Sequence, residues 1–589
     1  MAQCKTSPEV GGMGHSVKRK EDPRFIRGQG NYVDDIVRPG MVFMDIVRSP
    51  YAHAKIKSIN TEKALAHPGV AAVITGETLK EYNLHMMPTL MSDTQMVLPI
   101  EKVCYQAQEV AAVIATDRYS AADGVELVEV EYEPLPVVVD PHKATDPDAP
   151  IIRDDKEGQD SNHIFHWEAG DKSGTDEIFK NADVTVKENI YLPRIHVASI
   201  ETCGCLSEFD SVTGRLTVWM TTQAPHAIRT VLALVAGHVG LQEDKIRVIS
   251  PDIGGGFGGK VPVYPGYVIA IAASVVTGLP IKWIEDRREN LQADSFARDY
   301  HMTCEIAADK DGTLNGLRIN TLADHGYADA AANPSKWPAG MFSICTGSYN
   351  FKNAFVEVDG VYTNKPPGGI AYRCSFRVTE AVHAIERMVD MVADELGMDA
   401  AEIRMNNFIP KDAFPYKSPM GWEYDSGDYH GALKLAMDKI GYDKLLKEQA
   451  KKREKGELMG IGISSFTEVV GAGPSKDFDI LGIKMFDSSE IRIHPTGKVI
   501  ARFGTKSQGQ GHETTYAQII AEELGIPHTD ISVEEGDTDT APYGLGTYAS
   551  RSTPTAGAAA AMACRKIKDK AQKIAAHLLE AAEEDLEWE

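Results

Sequence analysis

Cys374 is the side chain in this sequence that is best placed to do chemistry. It stands between Arg373 and Arg377, and a helix is predicted to begin near Thr379. Two positive charges and a nearby helix N-terminus both favour the thiolate over the thiol. A thiolate can act as a nucleophile or bind a soft metal ion. Because the chain has eight cysteines, an unreactive buried cysteine is an equal alternative from these residues alone.

A glycine-rich stretch, Gly254 to Lys260, follows a predicted strand and precedes a predicted helix. It fits both G-x-G-x-x-G and G-x-x-x-x-G-K, but Val261 stands where a P-loop needs a Ser or Thr hydroxyl to hold Mg²⁺. A Rossmann site is weakly indicated, because so many glycines match many patterns, and a flexible turn is the plain alternative. Glycines let backbone N–H groups approach a ligand closely. Phe257 inside the stretch favours a shaped pocket.

Three further motifs are weaker. Gln508 to Thr515, and Gly536 to Thr540 with Ala549 to Ser552 after it, are runs of small and hydrogen-bonding residues. They predict either ligand-binding loops or solvated turns. Cys203-Gly204-Cys205, with His196 upstream, is a single C-x-C pair, whereas structural zinc uses four ligands, usually as two pairs. We therefore favour core packing for these cysteines over a metal site.

The elements that must position these motifs are mixed. Short β-branched runs alternate with helical patterns, which predicts an α+β fold. Apolar residues repeat at threes and fours from Val378 to Leu396, and Gly397 ends the run, which predicts a helix there. A second, alanine-rich helix is predicted from about Thr555 to Leu579.

Composition excludes several classes of protein. The formal net charge is −24, which argues against a nucleic-acid binder and against a polybasic membrane anchor. The longest apolar run, Tyr267 to Val276, is too short for the ~20 residues that span a bilayer. The N-terminus lacks a signal-peptide pattern, and the cysteines form no disulfide framework. We expect a cytoplasmic protein, with peripheral docking to the inner membrane face through a partner left open.

Taken in order, five motifs resemble the molybdenum-binding large subunit of the xanthine dehydrogenase and aldehyde oxidase family. They are Thr222 to Pro225, Gly254 to Lys260, Ala371 to Arg377, Gln510 to His512 and Ala549 to Ser552. The stretches 27–35 and 48–54 fit the hammerhead domain of that family. The resemblance implies an α+β fold with an N-terminal hammerhead domain, followed by a two-lobed molybdopterin-binding region of mixed sheets and helices. The expected ranges are a tail (1–24), the hammerhead domain (25–140), a linker (141–155), a first lobe (156–430) and a second lobe (431–589).

Within that family, the stretch Ala371 to Arg377 resembles the active-site loop of the aerobic carbon monoxide dehydrogenases. Purine and aldehyde hydroxylases commonly carry a glutamate where this chain has Val261, and they lack the loop cysteine. The resemblance implies oxidation of CO by water to CO₂, with two electrons passed on. It implies Cu(I) on Cys374, molybdenum held by molybdopterin cytosine dinucleotide, an iron–sulfur small subunit with [2Fe-2S] and a medium subunit with FAD. It also implies a homodimer of heterotrimers.

The resemblance also assigns roles to single residues. Gln223 would hydrogen-bond the molybdenum oxo group, and the backbone at Gly256 and Phe257 would line the opposite side. Arg373 would neutralise charge beside the centre, and Phe376 would shape the apolar access. The residues expected to hold the pterin and its pyrophosphate are Gln510, Gly511, His512, Thr514, Ser550, Arg551 and Ser552.

One departure from the family pattern affects these expectations. The resemblance implies that the catalytic glutamate of the family lies in a C-terminal portion that this sequence does not reach, so we assign that role to no residue. We expect the second lobe to be incomplete and this chain alone to turn over CO poorly. Two alternatives remain open: a molybdenum hydroxylase of aldehydes or N-heterocycles, and a cofactor-binding subunit that is inactive without its C-terminal complement.

Overall fold

The structure is a computed structural model. It describes residues 6–89, 93–328, 344–370, 372–373, 378–468, 470–471, 473–474 and 485–588. Two of the expected site residues, Cys374 and Phe376, lie outside the described residues. No helix in these ranges is both long enough and apolar enough to cross a bilayer.

The N-terminal part of the chain, to residue 140, is a small α/β unit. Its strands are β1 (Val42–Arg48), β2 (Ala54–Asn60), β3 (Val70–Thr75), β4 (Met86–Pro88), β5 (Thr94–Met96), β6 (Lys102–Val103), β7 (Glu109–Ala115) and β8 (Glu129–Pro134). Its helices are α1 (Asp22–Phe25), α2 (Glu62–Leu65), α3 (Gly76–Glu81) and α4 (Arg118–Leu127). The Asp117 side chain caps α4 by accepting from the backbone N–H groups of Tyr119 and Ser120.

The first lobe follows. Its strands are β9 (His163–Gly170), β10 (Val184–Leu192), β11 (Gly204–Asp210), β12 (Arg215–Met220), β13 (Ile246–Ile249), β14 (Ile281–Ile284), β15 (Tyr300–Ala308), β16 (Leu314–Asp324), β17 (Asn353–Val361), β18 (Tyr416–Lys417) and β19 (Glu423–Tyr424). Its helices are α5 (Lys172–Asn181), α6 (Pro225–Ala236), α7 (Pro265–Thr277), α8 (Arg287–Ala293), α9 (Val378–Leu396) and α10 (Ala400–Asn407).

The second lobe is smaller. Two helices before it, α11 (Tyr429–Ile440) and α12 (Tyr442–Glu454), pack on the first lobe. The second lobe itself has β20 (Ser489–Ile493), β21 (Val499–Phe503), α13 (His512–Leu524), β22 (Ile531–Glu535) and α14 (Gly557–Leu579). A π-helical turn, Ser552–Ala556, leads into α14. The three strands form one sheet, in the order β20-β21-β22, and α13 and α14 pack on it around Phe503 and Tyr516.

One seven-stranded sheet joins the N-terminal unit to the first lobe. Its order is β13-β12-β11-β14-β1-β7-β3, and β1 pairs in parallel with β14, so that Met44 lies opposite Trp283. The helix α7 is buried against this sheet along almost its whole length, which explains its nearly continuous apolar sequence. The two parts of the chain therefore share one hydrophobic core.

Both predicted helices are confirmed. α9 runs from Val378 to Leu396 and buries the face that carries Ile385, Val389 and Val392 against the five-stranded sheet β10-β15-β16-β17-β9. α14 begins at Gly557, two residues after the predicted start, and ends at Leu579 as expected.

The N-terminal segment, residues 6–35, is mostly irregular, and it packs on the second lobe. The Lys20 ammonium donates to the carbonyl of His528 at 2.6 Å and to that of Ile531. Arg24 pairs with Asp252 of the first lobe and, at 3.0 Å, with Glu513 at the start of α13. The segment thus ties the two lobes together beside the loop that precedes α13.

Candidate functional site

A cavity of 790 Å³ lies where the glycine-rich stretch of the first lobe faces the loops of the second. Most of the expected site residues line it, although they come from segments hundreds of residues apart. The lining includes Gln223, Gly256, Phe257, Gly258, Arg373, Gln508, Gly509, Gln510, His512, Thr515, Thr547, Tyr548, Ser550, Arg551, Ser552 and Thr553. The fold therefore brings at least one described residue of each of the five sequence motifs to one place.

Gln223 is the buried polar centre of this cavity. It stands between β12 and α6, and its side-chain oxygen accepts from the backbone N–H of Gly258 at 2.9 Å and that of Lys260 at 3.3 Å. Its amide nitrogen donates to the carbonyl of Thr547 at 2.8 Å. The second hydrogen on that nitrogen has no partner among the described residues. The carboxamide is thus held rigidly and keeps one N–H for a ligand.

The glycine-rich stretch is shaped around that carboxamide. A Cβ on Gly256 would lie 2.5 Å from the side-chain oxygen of Gln223, so only glycine leaves room there. Gly255 has φ +96° and Gly258 has φ +100°, conformations that L-residues rarely adopt. Phe257, between them, has φ +51° and a ring that is about half exposed. The stretch forms a wall of the cavity with defined contacts to Gln223, and it is not a flexible turn.

Lys260 shows that this stretch is neither a P-loop nor a Rossmann loop. Its ammonium is buried and pairs with the carboxylate of Glu201 at 2.7 Å. The following helix, α7, begins only at Pro265, so the stretch does not run directly into a helix N-terminus. The Lys260 ammonium therefore anchors the stretch to Glu201 and is not available to bind a phosphate.

Arg373 lies at the exposed edge of the cavity. Its backbone N–H donates to the carbonyl of Phe257 at 3.3 Å, and its guanidinium carbon lies 5.3 Å from the centre of the Phe257 ring. Its φ of +44° is in the left-handed region, which is uncommon for a residue with a side chain. The stretch that follows β13 and the stretch that precedes α9 are thus joined at this point.

His512 approaches the cavity from the second lobe, at the start of α13. Its Nδ1 lies 2.8 Å from a carboxylate oxygen of Glu535, and both side chains are nearly buried. Burial opposes ionisation of Glu535, but the charge and hydrogen bond of His512 outweigh it, so the pKa of Glu535 lies below its usual value. The carboxylate fixes the orientation of the ring and leaves Nε2 without a partner among the described residues.

The loop after β22 closes the cavity. Ala549 and Ser550 have φ +56° and +49°, and the Ser552 hydroxyl donates to the Thr547 hydroxyl at 3.2 Å. The backbone N–H of Thr547 donates to the carbonyl of Gln223 at 2.9 Å. Two adjacent left-handed residues mark a strained backbone, which is common where a structure holds a ligand.

Two of the expected pterin contacts, Arg551 and Thr514, have other partners in the structure. The Arg551 guanidinium is fully buried, and it donates to Asp487 and to the carbonyls of Gly546 and Phe486, each at 2.6 Å. The Arg551 guanidinium neutralises the buried Asp487 carboxylate and joins it to the loop at Gly546. Because these donors are already used, Arg551 is not available to bind a pyrophosphate.

Thr514 bonds to the N-terminal segment instead, and Gly511 lies close to the same segment. The Thr514 hydroxyl donates to Glu21 at 2.6 Å and accepts from the backbone N–H of Lys20 at 2.8 Å. A Cβ on Gly511 would lie 3.3 Å from the carboxylate of Glu21. Neither residue lines the cavity, because the face of α13 on which they lie is covered by that segment.

Cys203 and Cys205 are both buried, as the packing interpretation expects. Burial raises the pKa of each thiol above its usual value. Cys203 belongs to a buried cluster with Glu285 and Asp294, and its thiol lies 3.6 Å from Asp294. His196 packs edge-on against Phe296 and is not part of that cluster.

Sequence reasoning missed several residues that shape the site, chiefly Glu201, Thr547 and Arg298. Glu201 and Thr547 act through Lys260 and Gln223, which lie 59 and 324 positions away along the chain. Contacts of that range leave no local pattern in a single sequence. Arg298 has φ +64° and borders Tyr372, and no sequence signal distinguishes it from other arginines.

Comparison with known families agrees with this arrangement. Residues 156–408 and 435–589 each match a model of the molybdopterin cofactor-binding domain. Residues 27–136 match the a/b hammerhead domain of aldehyde oxidase and xanthine dehydrogenase. The predicted fold class, a hammerhead domain followed by a mixed molybdopterin-binding region, is confirmed by these matches.

Known proteins are similar to this sequence over almost the whole chain. The sequence is 62% identical to a carbon monoxide dehydrogenase large chain of Afipia carboxidovorans, over 98% of this chain and 73% of that one. It is 60% identical to another from Hydrogenophaga pseudoflava, over 98% and 73%. A crystal structure of Cu,Mo-CO dehydrogenase in its carbon monoxide reduced state superposes with a TM-score of 0.95 at 62% identity, covering 99% of this chain and 75% of that one.

Proposed function

The chain belongs to the carbon monoxide dehydrogenase large chains of the xanthine dehydrogenase and aldehyde oxidase family, and we propose that it carries the molybdenum and copper site that oxidises CO. The reaction is CO + H₂O → CO₂ + 2 H⁺ + 2 e⁻. The observation that carries the proposal is the carboxamide of Gln223, which is fixed by the glycine-rich stretch and keeps one N–H for a ligand. It lies within the part of the chain that matches a molybdopterin-binding domain.

The residues present fit a molybdopterin dinucleotide. The cavity has room for one, and the missing Cβ atoms at Gly256 and Gly509 let a ligand approach the backbone. The cofactor, in its cytosine dinucleotide form, supplies the two-electron redox chemistry, and Cu(I) supplies affinity for CO. Gln223 would donate its free N–H to the bound cofactor, and Gln510, His512, Ser550 and Ser552 would provide further hydrogen-bonding groups to it. Arg551 braces these loops.

Cys374 is the proposed copper ligand. CO has almost no hydrogen-bonding capacity, so its binding calls for a soft metal ion, and a thiolate is the protein ligand that Cu(I) prefers. Arg373 lies next to it in the sequence, at the edge of the cavity, where its charge favours a thiolate. Phe376 is proposed to narrow the access for a small apolar substrate.

The electrons need a path out, and we propose that partner subunits provide it. An iron–sulfur small subunit with [2Fe-2S] and a flavin-containing medium subunit with FAD would accept them in turn. Two such heterotrimers would form the complete enzyme, in the cytoplasm, with docking to the inner membrane face as an option. The net charge of −24 argues that any such docking is mediated by a partner.

The test is the variant Cys374→Ala in the complete complex, with copper and molybdenum measured in the same sample. We expect copper and CO-dependent dye reduction to be lost while molybdenum stays at the parent level, because Gln223 and the pterin contacts are unchanged. Cys564→Ala, at a buried cysteine of α14, is the matched control and should keep both metals. Full activity and full copper in Cys374→Ala would refute the copper assignment, and a parent complex without molybdenum would refute the function.

A further inference from the structure

A cluster of histidine and carboxylate side chains lies on the exposed face of the five-stranded sheet, and none of its members lines the cavity. The edge strand β9 pairs antiparallel with β17, so that His166 lies opposite Asp359 and Glu168 lies opposite Glu357. Because side chains alternate along a strand, these four side chains point to the same side of the sheet. Val358, between the two carboxylates of β17, points the other way and packs in the core.

Glu168 and Glu357 face each other without a basic side chain between them. Like charges that are directly opposite on neighbouring strands destabilise a sheet. Within the ranges that the structure describes, neither carboxylate forms an ion pair with a lysine or an arginine. Glu168 lies beside His166, and Glu357 accepts from the side-chain amide of Asn320 on β16 at 2.6 Å. The pair therefore leaves negative charge that a bound cation would balance.

His166 is oriented to supply a ligand to such a cation. Its Nδ1 lies 3.0 Å from an oxygen of Asp359. A carboxylate can only accept, so the hydrogen of the neutral ring is on Nδ1, and Nε2 keeps a lone pair 3.8 Å from Glu168. A carboxylate that accepts from the other ring nitrogen is the usual support of a metal-binding histidine. The same Asp359 oxygen lies 3.0 Å from Nε2 of His163, which holds that carboxylate in place.

The spacing of the three side chains suits a small metal ion. One nitrogen of His166 and one oxygen each from Glu168 and Glu357 lie within 4.8 Å of one another. A tetrahedral ion at about 2.0–2.2 Å from its ligands holds them about 3.3 Å apart, a distance that small rotations of these side chains can reach. The hydrogen bond to Asp359, together with the charges of the three carboxylates, raises the pKa of His166 above its usual value. The cluster therefore already attracts positive charge.

We propose that His166, Glu168 and Glu357 form a binding site for a divalent first-row transition ion such as Zn²⁺, which joins the edge strand β9 to β17. One imidazole and two carboxylates suit an ion of this class, whereas a set of oxygen ligands alone would suit Mg²⁺ or Ca²⁺. Asp359 is a positioning residue, because it acts through His166. The side chains of His166 and Glu168 are about half exposed, so water would complete the coordination.

The alternative is that a protonated His166 balances the carboxylates and that no metal ion binds. His494→Gln is the matched control, because it removes another exposed imidazole that lies in the turn after β20. The Nδ1 of His494 lies 3.0 Å from the hydroxyl of Thr496. No carboxylate pairs with His494 in the described part of the chain.

The experiment measures the Zn²⁺ bound by the complete complex, by equilibrium dialysis at a series of free Zn²⁺ concentrations followed by elemental analysis. The parent is compared with His166→Gln, Asp359→Asn and His494→Gln. Any Zn²⁺ bound elsewhere in the complex is common to all four proteins, so the differences between them report on this site.

We expect the parent and His494→Gln to bind one Zn²⁺ more per large chain than His166→Gln does. Loss of a supporting carboxylate typically weakens metal binding by about 10- to 100-fold, so Asp359→Asn should need that much more free Zn²⁺. An ion that binds only the folded state stabilises it, so Zn²⁺ should raise the Tm of the parent more than that of His166→Gln.

Equal Zn²⁺ binding by the parent and His166→Gln would overturn the proposal. An equal loss in His494→Gln would also overturn it, because any exposed histidine would then account for the binding. Parent-like affinity in Asp359→Asn would overturn the positioning role of Asp359. None of these measurements depends on CO oxidation, so they decide the metal site whether or not the proposed function holds.

Discussion

Glu285 and Asp294 form a buried acidic pair behind the glycine-rich stretch. The side-chain amide of Asn290 donates to Glu285 at 3.0 Å and to Asp294 at 2.6 Å. Burial raises the pKa of Glu285 well above its usual value, with the neighbouring Asp294 as a further cause, and burial raises that of Asp294 to about 6. The pair therefore keeps a proton at a pH where exposed carboxyl groups have lost theirs.

The raised pKa values of Glu285 and Asp294 determine how the stability of the fold changes with pH. A carboxyl group whose pKa is higher in the folded state binds more protons folded than unfolded, so its contribution is full below the unfolded pKa and is lost as pH rises through the folded one. Glu285→Gln removes one ionisation and keeps an oxygen that can accept from Asn290. We expect the variant to match the parent near pH 4 and to be more stable at pH 8 by about 1–3 kcal/mol, measured by denaturant unfolding.

Glu289→Gln is the control variant, and we expect the opposite change in stability at pH 8. Glu289 pairs with the nearly buried Arg48 at 2.8 Å, so removing its charge leaves a buried cation less well paired. That variant should be less stable than the parent at pH 8. A Glu285→Gln protein that is also less stable at pH 8 would contradict the assignment of a proton to the acidic pair.

The structural role of a single residue was predictable where few roles suit that residue type, as with glycine. The glycines of the stretch 254–259 predicted close backbone approach, and Gly256 does lie against Gln223. Arg551 and Thr514 belong to equally suggestive motifs, yet they bond to Asp487 and Glu21. A motif does not indicate which side of its loop a side chain faces. That orientation depends on remote partners, which lie 64 positions away for Arg551 and 493 positions away for Thr514.

At the scale of elements, the glycine-rich stretch between β13 and α7 fixes the position of the Gln223 side chain. Gly256→Ala would place a Cβ 2.5 Å from the side-chain oxygen of Gln223, which must then move and lose its bonds to Gly258 and Lys260. We expect this variant to fold and to lose most of its molybdenum and CO oxidation, because the free N–H of Gln223 is displaced. Metal analysis of the purified complex and a dye-reduction assay measure both effects.

Gly237→Ala is the control for this prediction. Gly237 follows α6 with φ −58°, and no atom lies within 4 Å of the Cβ that alanine would add. The control should keep its molybdenum and its activity. A Gly256→Ala protein with parent levels of both would show that the position of the Gln223 carboxamide does not matter for the cofactor.

Elements with a strong local pattern could be predicted, and those set by remote pairing could not. α9 and α14 have long apolar periodicity, which is a property of their own residues. The parallel pairing of β1 with β14 joins residues 42–44 to residues 281–283. Nothing in either strand specifies the other, so the sequence analysis predicted no sheet that joins the N-terminal unit to the first lobe.

At the scale of the whole molecule, the seven-stranded sheet makes the N-terminal unit and the first lobe one folding unit. Arg48 lies on β1 and pairs with Glu109 of β7 at 3.0 Å and with Glu289 of α8 at 2.8 Å. These three side chains are nearly buried, and they join both parts of the chain. Burial acts against the charge on Arg48, but the two carboxylates outweigh it and raise the pKa of Arg48.

Arg48→Met should therefore destabilise the whole unit. Removing one partner from a buried charge cluster typically costs about 3–5 kcal/mol, because the remaining charges are left unpaired. Two probes can follow the two parts during urea unfolding. Cys104 is the one cysteine between residues 25 and 140, and all six tryptophans lie beyond residue 140. We expect thiol labelling of Cys104 and tryptophan fluorescence to shift to lower urea together, since the two parts share a core.

Lys63→Met gives the matched control, because Lys63 and Glu129 form an exposed ion pair within the N-terminal unit. Exposed pairs contribute about 0–1 kcal/mol, so this variant should unfold close to the parent. Labelling of Cys104 at a lower urea concentration than the fluorescence change, in the parent or in Arg48→Met, would mean that the N-terminal unit unfolds by itself. Coincident transitions follow if β1 cannot leave β14 without exposing Met44 and Trp283, which pack in the same core.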